Sequence, residues 1–151
     1  MRLTHLLIGK SIAESILIGI LAIAFFTNAF PPYFRGFSEI EGQTLLGWAT
    51  NSSEPYQRVE LQLFVDGEFV TTGVANTFRP DVRAKGWAAD DWHGYEFPLV
   101  GIIPGRHEAR VYALHTSGRG ARHTLQLLGN PVEFMVDDAG VITSLSKRVE
   151  N

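Results

Sequence analysis

RVELQLFVDGEFVTTGV, residues Arg58–Val74, decides the fold. Val59, Leu61, Leu63 and Val65 alternate with Glu60 and Gln62, which is the period of a strand with one face buried and one face wet. Asp66-Gly67 then closes the strand into a hairpin with Phe69–Val74, because a two-residue hairpin turn needs positive φ and glycine supplies it freely. The same alternation recurs on both sides of this hairpin, broken by Gly, Pro, Asn and Asp clusters.

Upstream, Phe37–Gln43 and Thr44–Thr50 read as two short strands or one bent strand, ending at Asn51-Ser52-Ser53-Glu54-Pro55. Downstream, Ala75–Gly94 is a long irregular connection. Tyr95, Phe97 and Leu99 resume the alternation, and Ile103-Pro104-Gly105 turns the chain into His107–His115. Ser117-Gly118-Arg119-Gly120 leads into Arg122–Leu128; Val132–Val136 is a last core strand, with a short strand at Val141–Leu145. Seven to eight strands over this length predict an all-β fold, a two-sheet sandwich.

The chain has 151 residues, a net charge of −3 and no cysteine. Once the leading apolar segment is set aside, about 110–115 residues remain, room for one domain with a working core. Disulfides, thiolate metal sites and cysteine nucleophiles are excluded. The 13 basic residues are scattered, so no nucleic-acid footprint forms.

Ser15–Phe30, SILIGILAIAFFTNAF, carries no charge, and Lys10 and Glu14 interrupt the apolar stretch that leads into it. This is close to the shortest length that spans a bilayer, and it predicts one N-terminal transmembrane helix within residues 1–32. Arg2, His5 and Lys10 precede the apolar run and only Arg35 soon follows, which places the N-terminus in the cytoplasm and the β domain in the periplasm or outside the cell. A cleaved secretory signal is the rival reading, with small residues around Thr27-Asn28-Ala29. Bulky Phe25 and Phe26 and the length of the segment favour an anchor. Either way the domain is exported. Pro31-Pro32-Tyr33-Phe34-Arg35 stops the helix with an aromatic and basic collar, and residues 36–137 and 138–151 divide into sandwich and tail.

Five segments recur in the order seen in a known family: Gly47-Trp48-Ala49, the strand ending Val65-Asp66-Gly67, Arg79-Pro80-Asp81-Val82, Gly94-Tyr95-Glu96-Phe97, and Gly105-Arg106-His107 with Val111 and Ala113. Over roughly Gly36–Val136 the chain resembles the bacterial immunoglobulin-like modules of exported and cell-surface proteins. The resemblance implies an immunoglobulin-like sandwich with a structural or binding role, and it brings no catalytic residue.

Trp87, Trp92 and Tyr95 beside Asp90 and Asp91 combine aromatic faces with carboxylates, as protein anchors and sugar sites do. Trp87, Asp90, Asp91, Trp92 and His93 are therefore the candidate partner-binding residues, whereas Tyr95 and Trp48 read as core. Arg79, Pro80 and Asp81 read as the start of a short helix. His93, His107, His115 and His123 invite a metal, but no three are fixed in one place, and Asp137-Asp138 is too few ligands for calcium. No nucleophile elbow, phosphate loop or zinc helix is present, and Asp90 with Glu96 or Asp81 is only the carboxylate pair any acidic loop offers. The expectation is no enzyme and no cofactor. Asn51-Ser52-Ser53 is a formal glycosylation sequon.

These features predict a single-pass membrane accessory protein whose exported domain docks on other subunits of a membrane complex. In the helix, Gly19 and Ala22 offer close packing, and Glu14 gains from a partner. The alternative is a carbohydrate-binding or adhesion module that holds the membrane near polysaccharide.

Overall fold

The computed structural model describes residues 2–29, 34–117, 120 and 122–145. Two compact units divide after Pro31. The first is helix α1, Arg2–Ala29, whose window Ile8–Phe25 is long and apolar enough to cross a membrane and is wholly exposed. Within it the Lys10 ammonium lies 3.6 Å from the Glu14 carboxylate, one helical turn away, and the Ser15 hydroxyl donates to the Ser11 carbonyl. Glu14 thus has a partner within its own helix. Gly19 has open space around it and Ala22 is exposed.

The second unit is mostly β. Nine strands form among the described residues: β1 Phe34–Glu41, β2 Thr44–Asn51, β3 Glu60–Val65, β4 Glu68–Val74, β5 Gly94–Pro98, β6 Gly105–Ser117, β7 Arg122–Leu127, β8 Val132–Val136 and β9 Ile142–Ser144. One sheet runs β1-β2-β5; the other runs β4-β3-β6-β8-β9, with β7 also paired to β6. All named pairs are antiparallel. The Asp66-Gly67 hairpin stands as read, with φ +53° and +84° at its two turn residues. The segment before it resolves into two strands around Gly42-Gln43. Counting those two separately, together with short β9, gives nine strands where seven to eight were expected.

Alternation in β3 puts Leu61, Leu63 and Val65 inward, where they meet Leu45 and Ala49 of β2, Tyr95 and Phe97 of β5, Val111 and Ala113 of β6, and Phe134 of β8 in one apolar core. Gly47 is required here by close approach: a Cβ would strike the Phe37 carbonyl and lie 2.6 Å from the Tyr95 ring and hydroxyl. That hydroxyl is buried between Ser38 Oγ (2.6 Å) and the Phe37 carbonyl (3.1 Å), and burial pushes its pKa up.

Trp48 differs from the expectation. Gly47 and Ala49 take the inward positions, so by the period of two Trp48 faces the outside of the small sheet, opposite Phe37. It is nevertheless buried, because the Ala75–His93 connection folds over that face.

At the start of β1 the Gln126 side chain works as a surrogate strand, its amide donating to the Phe34 carbonyl (2.9 Å) and its oxygen accepting from the Phe34 N–H (3.2 Å). This fixes the point where the chain enters the domain. The Pro31-Pro32-Tyr33 part of the collar and the tail from 146 lie outside the described residues.

Candidate functional site

The long connection is a braced platform. Thr77 and Gly94 exchange backbone hydrogen bonds of 2.8 and 2.9 Å, and the Arg79 N–H reaches the Asp91 carbonyl at 2.6 Å, which extends the small sheet past β5. Gly94 allows this, since a Cβ there would meet Thr77 and the Arg79 side chain. The short helix α2, Pro80–Ala84, follows, with proline in its first turn as read. Arg79 forks onto both oxygens of Asp81 at 2.8 Å, which holds the Asp81 carboxyl below the usual carboxylate range. Val82, 1% exposed, lies outside the main core.

Both carboxylates proposed for ligand recognition are used within the domain. Asp90 accepts two guanidinium bonds from Arg58 (3.0 and 2.9 Å), the Trp92 N–H (2.9 Å), and faces His93 Nε2 at 3.2 Å. These contacts, the Arg58 bond foremost, pull its pKa to about 2, so it is ionised throughout the neutral range. Asp91 takes Arg83 at 3.3 Å. His93 is completely buried, which removes it from any outer surface and corrects its place among the partner-binding residues. Burial pushes its pKa down against the opposing pull of Asp90, so the imidazole is neutral and acts as a spacer under the Arg58–Asp90 fork.

The two tryptophans separate. Trp87 stacks on Trp48 at 5.3 Å and 23°, and the Lys85 ammonium lies over its ring at 4.8 Å. Trp92, 49% exposed, meets Phe78, 57% exposed, edge to face at 5.4 Å. Phe78 and Arg58 were missed from the sequence; Phe78 is an aromatic in a polar loop, which is a usable signal, while Arg58 pairs across 32 positions and leaves none.

The other candidates resolve locally. His107 sits between Asp66 Oδ2 (2.6 Å) and the Ile103 carbonyl (2.8 Å). His115 and His123 pair with Thr124 and Thr116, so the two imidazoles fall on opposite faces of the β6–β7 hairpin. Among the described residues no three potential metal ligands gather. Asp137 Oδ1 accepts the N–H groups of Ala139 and Val141 and so closes its own turn. Asn51 is buried, with its oxygen on the Ser53 N–H, so the sequon is closed in the folded domain.

Two open hollows flank the entry strand. One, of about 380 Å³, lies between Asn51, Arg58, Leu114 and His115; the other, of about 410 Å³, lies over Arg35, Trp48, Trp87 and Gln126. Comparison with protein-family models, curated proteins and solved structures returns no match.

Proposed function

We propose that this is a non-catalytic, single-pass membrane accessory protein whose immunoglobulin-like domain stands outside the cytoplasm and docks on other subunits of a membrane complex. The observation that carries the reading is the exposed Phe78–Trp92 pair on a connection braced by the Arg58–Asp90, Arg79–Asp81 and Arg83–Asp91 ion pairs. Aromatic anchors held in place before binding lose little entropy when they are covered, which is how interface hot spots act. The immunoglobulin-like reading is supported by topology: strands 1, 2 and 5 form one sheet while 3, 6 and their followers form the other, as A, B, E and C, F, G do in that sandwich. The fourth strand here joins β3 rather than the small sheet.

The sugar-binding alternative loses its basis in Trp87, since a platform needs an open ring face and this ring carries Trp48 and Lys85. The Phe78–Trp92 pair, edge to face, offers no flat double platform either. Residues Gly19 and Ala22 remain the closest-packing positions for a companion helix.

The test is mild-detergent extraction of native membranes through a C-terminal tag, with sizing of the extract. A large stoichiometric species is expected; a small free species overturns the reading.

A further inference from the structure

The pole of the sandwich opposite Phe34 has a surface chemistry of its own. β1 runs from Phe34 to Glu41, so the turns after Glu41, Val65, Pro98 and Val136 gather about 23 Å of strand away from the entry point. In the β5–β6 turn two apolar side chains point in and two point out: Leu99 is buried and Ile102 packs on the core, while Val100 and Ile103 are 80% and 72% exposed. These two are the most exposed large aliphatic side chains described in the domain.

The turn is fixed before anything binds it. Its start is tied by the Leu99 N–H on the Gln43 carbonyl at 2.9 Å, its end by His107 Nε2 on the Ile103 carbonyl at 2.8 Å, and Gly101 takes φ +76° between them. The neighbouring turns of the same pole carry Glu41, Asp66, Glu68, Asp137 and Asp138, all exposed, of which Asp66 pairs with His107 and Asp137 closes its own turn. None of these turns carries a lysine or arginine, and the nearby Arg106, in β6, has its guanidinium held by Glu133 at 2.7 Å.

We propose that this pole is a second docking surface, with Val100 and Ile103 entering an apolar socket bordered by lysine or arginine on a partner protein. The inference rests on the accessory-subunit reading and adds to the Phe78–Trp92 side a second contact at the far end of the sandwich. Rigid apolar anchors bind without an ordering cost, and an acidic rim selects a basic border and steers its approach. The same rim argues for protein over bilayer, because membrane-inserting tips carry lysine and arginine toward anionic headgroups and this one carries carboxylates.

The test uses the full chain in its native membrane with a photo-crosslinking residue at position 100, followed by tagged extraction and sizing. The expected result is a crosslink to a second protein at a peptide rich in Lys or Arg. Val100→Asp with Ile103→Asp should cut recovery of the complex at least about tenfold, as loss of a hot spot does, with unchanged melting of the domain. Val100→Ser with Ile103→Ser should act in the same direction, and 0.5 M salt should weaken the complex. A crosslink to lipid alone overturns the protein assignment. A complex that survives both double variants overturns this surface and leaves the accessory reading standing; a wild-type chain that runs small and free removes both.

Discussion

Gly47→Ala tests the packing argument most sharply, because the added atom has nowhere to go. The new Cβ meets the backbone carbonyl of Phe37 on the paired strand and stands 2.6 Å from Tyr95 Cζ and its oxygen. The carbonyl is held by the ladder between β1 and β2, so the ring must move. Overpacking of this kind costs about 1–3 kcal/mol. Moving the ring also breaks the bonds from its hydroxyl to Ser38 and Phe37, at about 0.5–1.5 kcal/mol each. The sum is about 2–6 kcal/mol, which for a domain of this size lowers the melting temperature by roughly 8–25 °C. The assay is thermal unfolding of the full chain in detergent micelles, followed by near-UV circular dichroism. Gly19→Ala is the control, with no atom within 4 Å of the new Cβ. A Gly47→Ala chain melting within 3 °C of wild type would refute the close packing of β1, β2 and Tyr95.

Phe134→Ala, at a position with no exposed surface in the centre of β8, should destabilise the domain by about 3–5 kcal/mol in urea titration, with the slope unchanged. Asp90→Asn removes the charge shared by Arg58 and His93, and amide exchange across residues 87–93 should accelerate by at least about tenfold while that of β6 stays unaltered. The Asp66–His107 pair gives a signed pH dependence. The hydrogen bond to Asp66 is the main cause raising the His107 pKa, and the same bond is the main cause lowering that of Asp66. The histidine contribution is present below its unfolded pKa of about 6.5 and lost as pH rises through the raised folded value; the aspartate contribution is lost as pH falls below about 4. Stability from the pair is therefore greatest between those limits and declines toward pH 9, and melting curves of His107→Gln should flatten that decline. An increase toward pH 9 that this variant abolishes would contradict the assignment.

Periodicity made the hairpin at Asp66-Gly67 and the strand Val132–Val136 legible, because large apolar residues recur at every second position of β3 and β8, although Phe64 and Met135 face away from the core. It left Trp48 ambiguous: three residues of β2, Gly47, Trp48 and Ala49, are all buried, and the parity of a strand cannot be read when both of its faces are covered. What covers the outer face is a segment some 40 residues later, held by Arg58 and Asp90, a pairing that no local pattern announces. The same distance effect hid the burial of His93 and the cover on Trp87. Helix α1 was legible because length and apolarity are properties of one contiguous run, while the Lys10–Glu14 pair was missed although its spacing of four residues is a usable signal.

The proposed function requires a β domain held outside the cytoplasm by an uncut helix. Intact-mass measurement on the carbonate-washed membrane fraction, combined with protease treatment of right-side-out vesicles, tests it directly. The account predicts the full 151-residue mass in the membrane and digestion of the C-terminal domain from outside. A soluble chain shortened by roughly 29 residues, as signal cleavage leaves, or a domain protected from the protease, would contradict it.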